Sequence, residues 1–319
     1  MTVPREGRGD LRTTRVTTAA PNPFDFAGTA YSNGWAVLDP NRWDDRRLSL
    51  TRTARLGPGR VVHLSVIGSG RAGRQRVQID VTHEGELQVE ERGVVRRSIR
   101  RMLRLDEDLG PFHVRCRKAG GRWKEASQGL GRLLRSPSVF EDVVKTICTT
   151  NVQWGGTRAM LRGLVERLGE AGPLSGPDPG ALPNSFPTAA AIASADGRTL
   201  EAARLGYRAP YIRQLAERVT SGDLDLEEFL SPGASTDEIR RGLLEIKGVG
   251  PYAAATLLML VGRYDHLPVD SVYRAFVSRR YFGGRLPSHR EGEAVYAEWG
   301  RWKYLGYWFD LWQGLDEEV

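Results

Sequence analysis

Between residues 235 and 262 the chain reads as two apolar-faced helices joined by a turn of four residues, an arrangement that few folds accommodate. Ser235 stands three residues ahead of Glu238, the spacing of a capping box, and Ile239, Leu243, Leu244 and Ile246 follow as one apolar stripe. Lys247-Gly248-Val249-Gly250 interrupts the stripe. Pro251, a residue suited to the first helical position, then opens a run containing Ala253, Ala254, Ala255, Leu257, Leu258 and Leu260. Gly248 and Gly250 permit backbone conformations closed to other residues and a near approach to another surface, while Val249 can lock the two helices together. The N–H groups around Gly250 would then lie free at a helix amino terminus, where an anion such as a phosphate is held without a charged side chain. A plain helical hairpin closed by a tight glycine turn accounts for the same residues.

The texture of the chain changes along its length. Residues 1–20 lack hydrophobic periodicity and read as a disordered tail. Over residues 21–125 the pattern alternates: Val62, Leu64 and Val66 share one face of a run, Val61, His63, Ser65 and Ile67 the other. A Gly-rich turn follows, then Val77–Val81 and, after another turn, a short strand over Leu87–Glu90. A basic amphipathic helix is expected over Val94–Leu103. Residues 126–319 carry helical spacing, with a Gly- and Pro-rich loop over 172–187. The expected fold class is α+β, an antiparallel-sheet amino-terminal domain followed by an all-helical region.

Composition narrows the chemistry. The 319 residues hold 46 Lys+Arg against 39 Asp+Glu, a net charge of +7, which fits a polyanionic partner and equally a solvated Arg-rich surface. Two cysteines, Cys116 and Cys148, cannot build a disulfide framework, a zinc knuckle or a four-cysteine cluster, and read as reduced thiols. No signal-like or membrane-spanning apolar run occurs, so the expected setting is the cytoplasm, near the nucleoid, with no membrane partner.

Twenty residues beyond Gly250, Leu267-Pro268-Val269 leads to Asp270 at the start of a further helix. On isolated sequence Asp270 is an N-cap. Taken with the hairpin, however, it resembles the signature of the helix-hairpin-helix DNA glycosylase superfamily. Ser138 to Asn151 (SVFEDVVKTICTTN) is similar to the opening helix of the helical region in alkyladenine-type (3-methyladenine glycosylase II) and 8-oxoguanine glycosylases, and Leu205 to Ile212 (LGYRAPYI) resembles a later helix entry in the same enzymes. The resemblance covers residues 21–319. It implies double-stranded DNA containing a damaged base as the partner of a monomeric enzyme, with the hairpin helix-hairpin-helix at about 235–262.

The site residues that the resemblance implies are specific. Asp270 is the catalytic aspartate; Lys247, Gly248, Val249 and Gly250 hold the DNA backbone; Asn151 fills the duplex or contacts the orphaned base. No metal or organic cofactor is expected, although the resemblance leaves room for a monovalent cation at the hairpin. Members that cleave the strand carry a lysine just after the hairpin, where this chain has Tyr252, so hydrolysis without lyase activity is expected. The glutamine that reads 8-oxoguanine falls near Trp308 or Phe309 here, with Gln313 a turn later. That favours an alkylated base and keeps an 8-oxoguanine type, or a non-catalytic DNA-binding protein, as alternatives. Aromatic residues are candidates for a flipped-base pocket: Trp154, Tyr207, Tyr252, Trp302 and Trp308, each of which could instead pack the core.

Overall fold

The structure, a computed structural model, describes residues 10–316 apart from 72, 122 and 179; of residues 313–316 it describes the backbone only. Five antiparallel strands lie in the order β1-β5-β4-β3-β2: β1 Leu11–Ala19, β2 Asn41–Asp44, β3 Ser49–Gly57, β4 Arg60–Arg71 and β5 Arg74–Glu84. Val62, Leu64 and Val66 pack inward with Val77, Ile79 and Val81 of β5, as the alternation requires. The helix Val89–Met102 lays Val95, Ile99 and Met102 into the same core.

Two expectations for this region fail. Residues 11–19 are not a tail but the edge strand β1, paired along its length with β5 from Leu11↔Glu84 to Ala19↔Arg76. Four threonines and a valine supply the β-branched character, and only Val16 and Thr18 are buried, so no hydrophobic period is visible. Residues 1–9 lie outside the described residues. The expected strand over Leu87–Glu90 is instead the beginning of the Val89–Met102 helix. Gln88 and Glu91 form its capping box, and Arg60 of β4 holds the Glu91 carboxylate at 2.7 Å. The cap starts the helix five residues before its apolar face becomes legible.

The helical region runs from Val139–Thr149 and Trp154–Leu168 through Ala209–Ser221 to the hairpin pair Thr236–Leu244 and Pro251–Leu260, then Ser271–Tyr281 and Lys303–Asp316. Sheet and helices share one continuous buried core. They also share a buried ion cluster: Arg52 of β3 makes a two-pronged contact with Glu141 at 3.0 and 2.6 Å, and Lys145 reaches the same carboxylate at 2.7 Å. All three side chains are buried, so the Glu141 carboxyl is driven down to about 2 by its two cations against the opposing effect of burial. The junction therefore ties β3 to the Val139–Thr149 helix, whose carboxy-terminal end borders the cavity described next.

Candidate active site

The hairpin forms as its residues dictate. Ser235 and Glu238 complete the capping box, with Oγ accepting from Glu238 N at 3.2 Å and the Glu238 carboxylate accepting from Ser235 N at 2.8 Å. At the turn, Val249 is 6 % exposed, wedged between the helices, and its N–H donates to Ile246 O at 3.0 Å. The two glycines differ. Gly248 has φ +92°, and a Cβ there would stand 2.8 Å from Cδ2 of Tyr211, so both conformation and space demand glycine. Gly250 has an ordinary φ of −93°, contrary to expectation, and a Cβ there would meet nothing within 4 Å. Its lack of a side chain matters only toward a visitor. No side chain caps the Pro251–Leu260 helix, whose first turn borders a cavity of about 390 Å³ lined by Gly248, Val249, Gly250, Tyr207 and Asn151. Lys247 lies beside it, its Nζ 5.5 Å from the Tyr211 ring.

A larger cavity of about 680 Å³ adjoins this one; Asn151 and Tyr252 line both. Asp270 stands in its wall as the N-cap of Ser271–Tyr281, Oδ1 accepting from Tyr273 N at 2.7 Å. Two successive tight turns aim it: Val269 N donates to Leu267 O at 3.0 Å and Asp270 N to Pro268 O at 2.7 Å. Burial raises the Asp270 carboxyl pKa above its ordinary value, against the backbone N–H groups of Tyr273, Asp270 and Val272. The hydroxyls of Tyr252 and Tyr304 are pushed up as well, by burial first and then by neighbouring groups that include Asp270. The helix cap and the cavity-lining carboxylate are thus one residue.

Trp154, Tyr252 and Trp308 line the larger cavity as expected. Two other candidates do not. Trp302 is 6 % exposed and stacks on Tyr264 at 5.6 Å, with Phe112 at 5.8 Å, inside the core. It closes the segment Ala297–Trp302, where Gly300 at φ +54° breaks the helical phase, so its spacing from Trp308 does not put it on the same face. Tyr207 is half exposed and borders the hairpin cavity instead, accepting from Asn151 Nδ2 at 3.4 Å and lying 4.4 Å under the Arg208 guanidinium. Asn151 itself has φ +48°, with Arg208 donating to its carbonyl at 3.4 Å and to that of Thr150. Phe309 is buried against Phe112, and the side chain of Gln313 lies outside the described residues.

Other lining residues, among them Asn33, Trp35 and Tyr304, were not singled out from sequence. Tyr304 was within reach, one helical turn before Trp308; Asn33 and Trp35 come from the amino-terminal region and carry no local signal. Cys116 and Cys148 are buried thiols, each pushed up to about 12 by desolvation, which disfavours the thiolate. Among the described residues no group of three His, Cys, Asp or Glu could hold a metal, and no helix is long and apolar enough to cross a membrane.

Comparison with known proteins joins these features. Residues 144–301, which include the hairpin and Asp270, match the model of the HhH-GPD superfamily base excision DNA repair proteins. A probable N-glycosylase/DNA lyase of Methanothermobacter thermautotrophicus is 31 % identical over 102 residues, 32 % of this chain and 32 % of that protein, so the match spans about a third of the relative. The 3-methyladenine DNA-glycosylase of Archaeoglobus fulgidus superposes with a TM-score of 0.68 at 22 % identity, covering 94 % of this chain and 98 % of its own. The 8-oxoguanine glycosylase/lyase of Clostridium acetobutylicum, in complex with dsDNA containing cytosine opposite to 8-oxoG, gives 0.68 at 16 % identity over 97 % and 99 %. At such identities the likeness of the structures establishes the fold, the sheet-plus-helices architecture included. Over residues 144–301, just under half of its length, the chain matches the HhH-GPD superfamily of base excision DNA repair proteins, and that stretch holds both its hairpin and its aspartate.

Proposed function

We propose that this protein is a DNA glycosylase that turns a damaged base out of duplex DNA into the cavity beside Asp270 and hydrolyses its glycosidic bond. The observation that carries the reading is the placement of a half-buried carboxylate in the wall of an aromatic cavity that adjoins an uncapped hairpin turn. In the proposed reaction the bond from C1′ to the base nitrogen breaks, the base departs with the electron pair, and positive charge develops on the sugar. Asp270 stabilises that charge, accepts a proton from the water that attacks C1′ and passes it on to solvent; a cationic alkylated base leaves neutral, whereas a neutral base leaves as an anion and takes up a proton from solvent. The hairpin N–H groups hold a phosphate of the same strand, and Asn151, at the boundary of the two cavities, occupies the vacated position in the stack.

An alkylated base fits best. Trp154, Trp308 and Tyr252 offer aromatic faces, and among the described residues lining the cavity Asp270 alone carries a formal charge, a combination suited to an electron-poor or cationic base. The 8-oxoguanine alternative draws support from the Clostridium fold, but the indole of Trp308 spends its N–H on Ser32 O at 2.9 Å, away from a base edge. The absence of a lysine among the lining residues favours hydrolysis that leaves the abasic strand intact; Lys145 is buried against Glu141 and Lys247 lies outside the cavity. A monovalent cation at the hairpin would have to be held by backbone carbonyls, of which those of Ile246 and Gly250 already accept from Val249 and Ala254; no step is assigned to it. The test is chromatography of free bases released from methylated duplex DNA by the purified protein. Release of methylated bases supports the reading, and duplex binding without any release refutes it.

A further inference from the structure

Tyr211 joins the hairpin cavity to a third cavity, of about 300 Å³, where the Ala209–Ser221 helix meets the end of Thr236–Leu244. Gln214, Arg218, Glu245 and Lys247 stand in its wall. Gly248 packs against the Tyr211 ring, and Lys247 Nζ lies 5.5 Å from the centre of that ring. The hairpin cavity in turn shares Asn151 and Tyr252 with the cavity of Asp270, so the three hollows adjoin in series. Their chemistry differs. Among its described lining residues the hairpin cavity has no charged side chain, whereas the third has two cations, an amide and one acid. The cations are uncommitted. Among the described residues Lys247 makes no ion pair, and Arg218 and Arg240 are the only half-buried arginines whose side chains make neither a hydrogen bond nor an ion pair. A guanidinium partly withdrawn from water loses hydration, and a hydrogen-bonded anion restores what it lost. A solvated surface accounts for the exposed Lys247 and Gln214, but not for a half-buried Arg218 that lines a hollow and bonds to nothing in it.

We propose that Arg218, Lys247 and Gln214 form a second phosphate site, which takes the DNA phosphate adjacent to the one held at the hairpin turn. The inference rests on the reading that the turn holds duplex DNA; it does not depend on base excision. Tyr211 separates the two phosphates, one met by backbone N–H groups and the next by a guanidinium, an ammonium and an amide N–H. Each of these contacts is to the DNA backbone, so the site adds affinity without regard to sequence or lesion. Glu245 opposes an anion in the same hollow, and its charge lowers the affinity that the two cations supply.

The test is titration of the full chain with undamaged and lesion-containing duplex at several salt concentrations, folding being followed by thermal melting. Arg218→Gln is expected to melt as the wild type does and to bind both duplexes about 3- to 10-fold more weakly at about 50 mM salt. One lost phosphate contact lowers the slope of log affinity against log salt by about 0.9, so the defect shrinks about 3-fold between about 50 and 200 mM. Arg218→Lys keeps the charge and with it the slope. Glu245→Gln should bind both duplexes about 2- to 5-fold more tightly. An unchanged slope for Arg218→Gln, a defect confined to the lesion duplex, or no gain for Glu245→Gln overturns the second site. Gly250→Leu, measured alongside, marks the hairpin turn. If it weakens binding and Arg218→Gln does not, the second site alone fails; if neither weakens binding, the DNA reading of the turn fails with it.

Discussion

Replacing Asp270 by Asn removes one charge and little else. Asp270 Oδ1 caps the Ser271–Tyr281 helix through Tyr273 N at 2.7 Å, and an amide oxygen accepts that bond equally well. Because burial already disfavours the ionised carboxyl, losing the charge does not weaken the fold, and the melting temperature should hold or rise slightly. The effect on chemistry is larger. A carboxylate about 4 Å from the charge developing on the sugar, at an effective dielectric constant of about 20, interacts by about 4 kcal/mol. That corresponds to roughly 1,000-fold in rate, and the partial exposure of the site brings the expectation down toward 100-fold. Asp270→Asn should therefore fold, bind lesion-containing duplex as the wild type does, and excise at least ~100-fold more slowly in single-turnover assays. A rate within a few-fold of wild type, with binding intact, would reduce Asp270 to a helix cap and end its catalytic assignment.

The two hairpin glycines should separate folding from binding. Gly248→Ala, forced to φ +92° against Tyr211, should destabilise the protein by about 1–3 kcal/mol in denaturant titration, while Gly250→Leu should melt normally yet bind damaged and undamaged duplex more weakly to the same degree. If Gly250→Leu altered only lesion preference, the phosphate role would be wrong. Excision should rise with pH as Asp270 ionises through its raised pKa. The stability that this group contributes runs the other way, present while it is protonated at low pH and lost as pH rises through the folded-state pKa, and Asp270→Asn should flatten both dependences. Borohydride should trap no covalent adduct, and the abasic strand should stay whole until heated or treated with alkali; a trapped adduct would point to an amine nucleophile, Lys247 being the first to replace.

What could be read from the sequence was what short segments determine by themselves. The capping box of Ser235 and Glu238, the turn at Gly248, Pro251 at a helix start and Asp270 as a cap all depend on neighbours within four residues, and all are where spacing put them. The core faces of β4 and β5 were legible because one side of the sheet is buried. Strand β1 was not, since its partner β5 lies some sixty residues on and its own side chains are mostly threonine and arginine at an exposed edge. The cavity wall divided along the same line. Trp308 and Tyr304 share a helical face, whereas the kink at Gly300 rotated Trp302 into the core. Trp35 is buried beside the cavity, bonded to Asp142 of the Val139–Thr149 helix about a hundred residues away, a contact that no local pattern announces.

The central question is whether this cavity receives and releases a damaged base. The most direct measurement is a single-turnover base-release assay on otherwise identical duplexes, each carrying one of 3-methyladenine, 7-methylguanine, hypoxanthine, uracil or 8-oxoguanine. The expected result is release of the methylated bases, fastest of the set, with 8-oxoguanine far behind and every abasic strand intact. Preferential release of 8-oxoguanine would contradict the reading of the cavity, and tight binding with no release from any duplex would leave a DNA-binding module in place of an enzyme.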